Sequence, residues 1–241
     1  MLKKSLLNNN INELLTYDSV KIETFNTNFF PTIRKDLNVS KIDKMIIAVP
    51  FLPIEIENIN GEYEMKIDYD NMIYSLMFTI DKKNLPDCLW VGMIKDIFSF
   101  PREEQIKIED ALVKKDIYLV IPESEEELEN YLIFSNKILK KMFIYNSIDV
   151  NDKYYANCGL YQASFTHINQ LFASTILAIA QETDLVMLND IYLCFVPNFI
   201  IQKNVDMHIG IYFHIQFCCS DVFRTFPYHI EILKNLLLCD C

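Results

Sequence analysis

Apolar residues recur along this chain in two rhythms, and the rhythm predicts the element each stretch forms. Short, nearly unbroken runs rich in β-branched and aromatic residues read as buried strands: MIIAVPFLPI (45–54), LWVGMI (89–94), IYLVIP (117–122), DLVMLND (184–190) and HIGIYFHI (208–215). Between them, apolar residues return every three or four positions, the spacing of one helix face. This pattern marks EEQIKIEDALVKK (103–115), SEEELENYLIFSNKILKKMF (124–143), FTHINQLFASTILAIA (165–180), FVPNFII (195–201) and HIEILKNLLL (229–238). Ser124 followed by Glu127 is a capping-box pattern that opens the second of these helices. Three stretches carry neither rhythm clearly. Residues 62–80 are rich in Tyr and Met and read as partly helical near MIYSLMF. Residues 146–160 read as a polar loop, and residues 1–43 as a polar, Asn-rich N-terminal extension expected to pack loosely.

Strand and helix alternate from Lys44 to the end, and the strands are apolar almost throughout. That combination predicts an α/β fold with a parallel sheet covered by helices on both faces. Two strands end on polar groups: DLVMLND at Asn189 and Asp190, and HIGIYFHI at His214. In a parallel sheet these ends lie along one rim, where open α/β sheets bind their ligands. Read by itself, IYFHIQFCCSDVFR (211–224) favours a core histidine bonded to a backbone carbonyl over a ligand contact at His214. Ser220 and Asp221 then start a helix.

Composition narrows the function. The 241 residues are 51% hydrophobic with a formal net charge of −11. Such acidity argues against nucleic acid, whose phosphates need clustered Lys and Arg. Charge and polar residues break the apolar runs before bilayer length, and MLKKSLLNNN lacks a signal-peptide core, so no membrane partner and a cytoplasmic location are expected. Seven cysteines without a secretory signal read as reduced thiols. A zinc site from His214, Cys218 and Cys219 is disfavoured, because adjacent cysteines rarely reach one tetrahedral ion and no CxxC pair exists. No metal and no cofactor are expected.

Several blocks, in order, resemble the trehalose-6-phosphate synthase family. IGIYFHIQFCCSDVFRTFPYHIEILKNLL matches that family's strand ending in histidine and the Ser-acid, aromatic-Arg and helix that follow, at His214, Phe217, Ser220, Asp221, Phe223, Arg224, Pro227, Ile232 and Leu233. DLVMLNDIYLCFVP is similar to its aspartate strand at Asp190, Leu193 and Pro197. NYLIFSNKILKKMFIY matches at Tyr131, Phe134, Ser135, Asn136, Leu139, Phe143 and Tyr145, and the intervening helix at Asn169, Phe172, Ala173 and Ile176. MIIAVPFLPI and LWVGMIK resemble the opening strands. The resemblance covers roughly residues 44–241 and implies a Rossmann-like domain, the N-terminal, acceptor-side half of a GT-B retaining glycosyltransferase. It implies glucosyl transfer from UDP-glucose to glucose-6-phosphate in trehalose biosynthesis, with Asp190 and His214 as the catalytic residues and Tyr131 as a substrate-binding residue.

The departures from the family are specific. Phe51 stands where an arginine is expected to pair with the acceptor's phosphate. Lys140 and Lys141 replace a Trp-Pro, and Asn189 and Tyr192 replace two histidines. With four glycines in the chain, the Gly-Gly loop that approaches the donor diphosphate has no counterpart. The expectation is a pseudoenzyme: a degenerate or regulatory subunit, or a fragment, inactive alone because the nucleotide-binding half is missing. Such a chain binds glucose-6-phosphate weakly, meets UDP-glucose only with a C-terminal half, and associates with other trehalose synthase subunits. The alternatives are an active synthase completed by a second chain, and a protein-interaction module without a sugar site.

Overall fold

The computed structural model describes residues 42–59, 62–68, 87–145, 153–203, 207–218 and 220–240. The expected N-terminal extension lies outside them up to residue 41, as does the MIYSLMF segment. All described residues belong to one unit, Lys35–Cys241. Five strands form a wholly parallel sheet: β1 (Lys44–Phe51), β4 (Asp87–Met93), β5 (Ile117–Leu119), β6 (Leu185–Asn189) and β7 (His208–Tyr212), in the order β5-β4-β1-β6-β7. This is the expected α/β class.

The apolar runs explain the sheet. In β1 and β4 both faces are buried, so successive residues feed different cores. Ile46, Ala48, Leu89, Val91, Met93, Val186, Leu188 and Ile209 face one cluster, and Ile47, Val49, Cys88 and Trp90 face the other. The first cluster is closed by Leu128 and Tyr131 of α2 (Glu125–Ile133), by Phe165, Ile168, Phe172 and Ile176 of α5 (Cys158–Ile179), and by shorter helices described below. The second is closed by Ile108 and Leu112 of α1 (Arg102–Val113) and by a β-hairpin. Each of these large side chains contributes about 1.5–3 kcal/mol when fully buried.

That hairpin pairs β2 (Ile54–Ile59) antiparallel with β3 (Glu62–Ile67), so the start of the Tyr- and Met-rich segment, for which no element was expected, is a strand. IEIENI and EYEMKI alternate apolar and charged residues around Asn60-Gly61, a strong hairpin dipeptide. Gly92 lets β1 leave the sheet tightly: a Cβ there would stand 2.8 Å from the Val49 carbonyl oxygen and 2.9 Å from Leu52 Cγ. The same close approach is locked by the Leu52 amide, which donates to the Met93 carbonyl at 2.8 Å.

The expected helices and strands are met with three further differences. The helix expected at 124–143 runs from Glu125 to Tyr145 but changes winding: Phe134–Leu139 is a π-helical segment between α2 and α3 (Lys140–Tyr145). The Ser124 hydroxyl caps α2 by accepting from the Glu127 amide (3.1 Å), while Glu127 Oε2 accepts from the Glu123 amide (2.8 Å). The polar loop is shorter than expected, because α4 (Lys153–Ala156) and the first turns of α5 occupy residues 153–160; residues 146–152 lie outside the described set. Finally, β7 stops at Tyr212, three residues early. The chain continues through α6 (Val196–Ile201) before β7, and α7 (Ser220–Thr225) and α8 (His229–Leu236) after it. No described helix is long and apolar enough to cross a membrane.

Candidate functional site

The sheet has one topological switch point. The chain builds from β1 outward through β4 to β5, then adds β6 and β7 on the other side of β1. Connections leaving neighbouring strands in opposite directions open a crevice outside their carboxyl ends, the usual ligand position in such sheets. Here the switch lies between β1 and β6, and Asn189 Nδ2 spans it by donating to the Ala48 carbonyl at 3.2 Å.

Asp190 follows immediately. Its backbone adopts φ 71° and ψ 166°, a region in which a side-chain-bearing residue costs about 1–3 kcal/mol. The surroundings impose it. The Asp190 amide donates to the Tyr212 carbonyl (2.7 Å), and Asp190 Oδ1 accepts from the Ile191 amide (2.8 Å), opening a 3₁₀ turn at Ile191–Leu193. The residue is 9% exposed. Strain held at a switch point is a pointer to function.

The turn is braced from below. Asn169 on α5 is completely buried; its Nδ2 donates to the carbonyls of Phe165 (2.9 Å) and Tyr192 (3.0 Å), and its Oδ1 accepts from the Phe195 amide (3.0 Å). The Tyr131 hydroxyl also donates to the Tyr192 carbonyl, at 3.2 Å. Tyr131 has no exposed surface and stacks on Phe165, ring centroids 5.5 Å apart. Tyr131, expected to bind substrate, is thus buried, with its ring on Phe165 and its hydroxyl bonded to the backbone of this turn.

Above the turn, the Tyr192 hydroxyl donates to Asn136 Oδ1 at 2.6 Å. Asn136 lies in the π-helical segment, whose wider turn is a recurrent feature of functional sites. Burial, with the Asp190 charge adding to it, pushes the Tyr192 phenol up to about 12. Asn136 and Asn169 fall on the family pattern in the sequence, but their partners there are not readable, since the pairs join residues 56 and 23 positions apart.

His214 lies two residues beyond Tyr212, in the irregular segment that follows β7. Its ring meets Tyr212 edge-on, centroids 4.9 Å apart, and it is half-buried, while Tyr212 is exposed. Asp190 and His214 thus follow adjacent strands, with none between them. At the end of β1, Phe51 is half-buried against the first core cluster. Beyond β4, Lys95 pairs with the buried carboxylate of Asp68 at 2.7 Å. Lys140 and Lys141 are half-buried at the start of α3, and Arg224 is exposed on α7. Cys218 is buried in the first cluster; Cys219 lies outside the described residues.

Comparison with known proteins agrees with this architecture. An alpha,alpha-trehalose-phosphate synthase [UDP-forming] A of Dictyostelium discoideum is 30% identical over 202 residues, covering 81% of this chain and 25% of that protein. The Candida albicans alpha,alpha-trehalose-phosphate synthase [UDP-forming] is 26% identical, covering 82% of this chain and 40% of its own length. The chain therefore spans well under half of these relatives. Among solved structures, the N-terminal domain of Candida albicans trehalose-6-phosphate phosphatase superposes with a TM-score of 0.62 at 17% identity, over 82% of this chain and 40% of that one. A Burkholderia xenovorans alpha,alpha-trehalose-phosphate synthase in complex with glucose-6-phosphate superposes with a TM-score of 0.54 at 16% identity, over 81% of this chain and 38% of that one. The model of glycosyltransferase family 20 matches residues 43–241, the whole of the sheet and its helices. This chain belongs to glycosyltransferase family 20.

Proposed function

We propose that residues 44–241 form the acceptor-side, sugar-binding half of a trehalose-phosphate-synthase-type glucosyltransferase, and that these 241 residues do not by themselves transfer glucose. The observation that carries the reading is the strained Asp190, bonded through its amide to Tyr212 at the switch point, with His214 two residues beyond. A buried carboxylate accepts hydrogen bonds from sugar hydroxyls, and an imidazole donates to or accepts from the same ring. Tyr131 acts one step back: by bonding the Tyr192 carbonyl it holds the turn that aims Asp190. Family membership supports glucosyl transfer from UDP-glucose to glucose-6-phosphate as the reaction of the complete assembly. Phe51 at the end of β1 offers no positive charge to a phosphate, which supports a non-catalytic or regulatory role for this chain, in association with other subunits of trehalose synthesis.

Two measurements test this. Calorimetric titration with hexoses and glucose-6-phosphate is expected to show binding that Asp190→Asn or His214→Ala weakens about tenfold, the scale of one charge-assisted hydrogen bond. Incubation with UDP-glucose and glucose-6-phosphate is expected to release no UDP above the His214→Ala background. Turnover above that background overturns the inactivity, and absence of any sugar binding overturns the site.

A further inference from the structure

We infer that the rim around Asp190 selects a neutral sugar over a sugar phosphate, with Phe51, Asn136 and Tyr192 as specificity-determining residues. This rests on the sugar-site reading above and names the ligand class for it.

The argument is one of donors and acceptors. A phosphate dianion is an acceptor only, and proteins hold it with Arg, Lys or converging backbone N–H groups. The groups gathered at the switch point offer something else. Asp190 is a carboxylate, an acceptor carrying negative charge. Tyr192 spends its proton on Asn136 Oδ1, so what its hydroxyl oxygen has left to offer is lone pairs, an acceptor again. Burial, with the Asp190 charge adding to it, pushes that phenol further up, so the hydroxyl keeps its proton for Asn136. Asn136 is exposed and adds amide N–H donors. Phe51 supplies only an apolar ring at the end of β1, and the exposed Tyr212 ring stands beside His214. Sugar hydroxyls both donate and accept, and pyranose C–H faces pack on aromatic rings. A hexose satisfies this set, whereas a phosphate would meet two acceptors, one of them charged, and find only the Asn136 N–H groups and the His214 imidazole to donate to it.

Among the described residues, the cation just past β4, Lys95, is already committed to the buried Asp68. Lys140 and Lys141 begin α3, beyond the π-helical segment that carries Asn136, and they enter the test directly.

The test is calorimetric titration of the full chain with glucose, glucose-6-phosphate and inorganic phosphate at one ionic strength. Glucose is expected to bind at least as tightly as glucose-6-phosphate, and phosphate alone to give no saturable heat. Phe51→Arg is expected to raise the affinity for glucose-6-phosphate relative to glucose by about tenfold, the effect of one cation near a partly screened dianion. Tyr192→Phe is expected to weaken glucose by about fivefold, the worth of one hydrogen bond. Circular dichroism and thermal melts establish that each variant is folded. Tighter binding of glucose-6-phosphate than of glucose overturns the inference while leaving the sugar site standing. If that excess disappears in Lys140→Ala or Lys141→Ala, the phosphate is held at α3, which likewise overturns it. Binding of neither sugar overturns the site itself, and the inference with it.

Discussion

The backbone amide of Asp190 donates to the Tyr212 carbonyl across β6 and β7 at 2.7 Å, and Asp190 holds φ 71° to do so. The bond turns the chain out of the sheet at the switch point and fixes the spacing between Asp190 and the segment carrying His214. Backbone geometry is therefore spent on placing a carboxylate.

If Asp190 is strained, relieving the strain should be measurable. Both Asp190→Gly and Asp190→Ala lose the cap to Ile191, but glycine adopts the conformation at no steric cost whereas alanine keeps the strain. Asp190→Ala is expected to unfold with about 1 kcal/mol less stability than Asp190→Gly. Urea denaturation of both variants decides it, and equal midpoints with equal slopes would contradict the strain.

Asn169 and Tyr131 share one acceptor, the Tyr192 carbonyl, but not one burden. Asn169→Ala leaves the Phe195 amide buried without its partner and is expected to cost about 2–4 kcal/mol. Tyr131→Phe leaves the same carbonyl bonded to Asn169 and is expected to cost about 1 kcal/mol. The reverse order in chemical denaturation would show that Tyr131 is the main brace.

Gly92 has no room for a side chain, because the nearest obstacle is the Val49 backbone carbonyl and not a movable side-chain end. Gly92→Ala is expected to destabilise by about 2–3 kcal/mol, the range of core overpacking. A melting temperature equal to that of the parent would refute the close approach of β1 and β4.

Burial pushes the Cys158 thiol, ordinarily near pH 9, up to about 11. The folded state thus favours the protonated thiol more than the unfolded chain does. Its contribution to stability is complete below pH 9 and is lost as pH rises toward 11. Stability measured from pH 8 to 11 is expected to fall less steeply in Cys158→Ala than in the parent; parallel curves would show that Cys158 does not contribute.

The parallel strands were legible because a strand buried on both faces must be apolar at every position, as in MIIAV and LWV, and such runs need no knowledge of the partner strand. The Ser124–Glu127 cap was legible for a similar reason: a capping box is closed within four residues. Asp190 and His214 stood out as polar ends on apolar runs. The β2–β3 hairpin carried a readable signal in its alternation and its Asn-Gly, obscured by the charges at Glu55, Glu57, Glu64 and Lys66 on the face away from the core.

By itself, the sequence determined what local chemistry settles: the five parallel strands and most of the helices, where α2 is capped, and that a carboxylate and a histidine follow closely on two of the strands. The tertiary structure decided the rest. The order β5-β4-β1-β6-β7 puts the switch between β1 and β6. The wide turn at Phe134–Leu139 brings Asn136 to Tyr192, and the buried stack on Phe165 sets the Tyr131 hydroxyl on the Tyr192 carbonyl. Each depends on residues far apart in the chain meeting in one packed interior, where an i→i+5 turn or a positive φ persists only because neighbouring elements hold it.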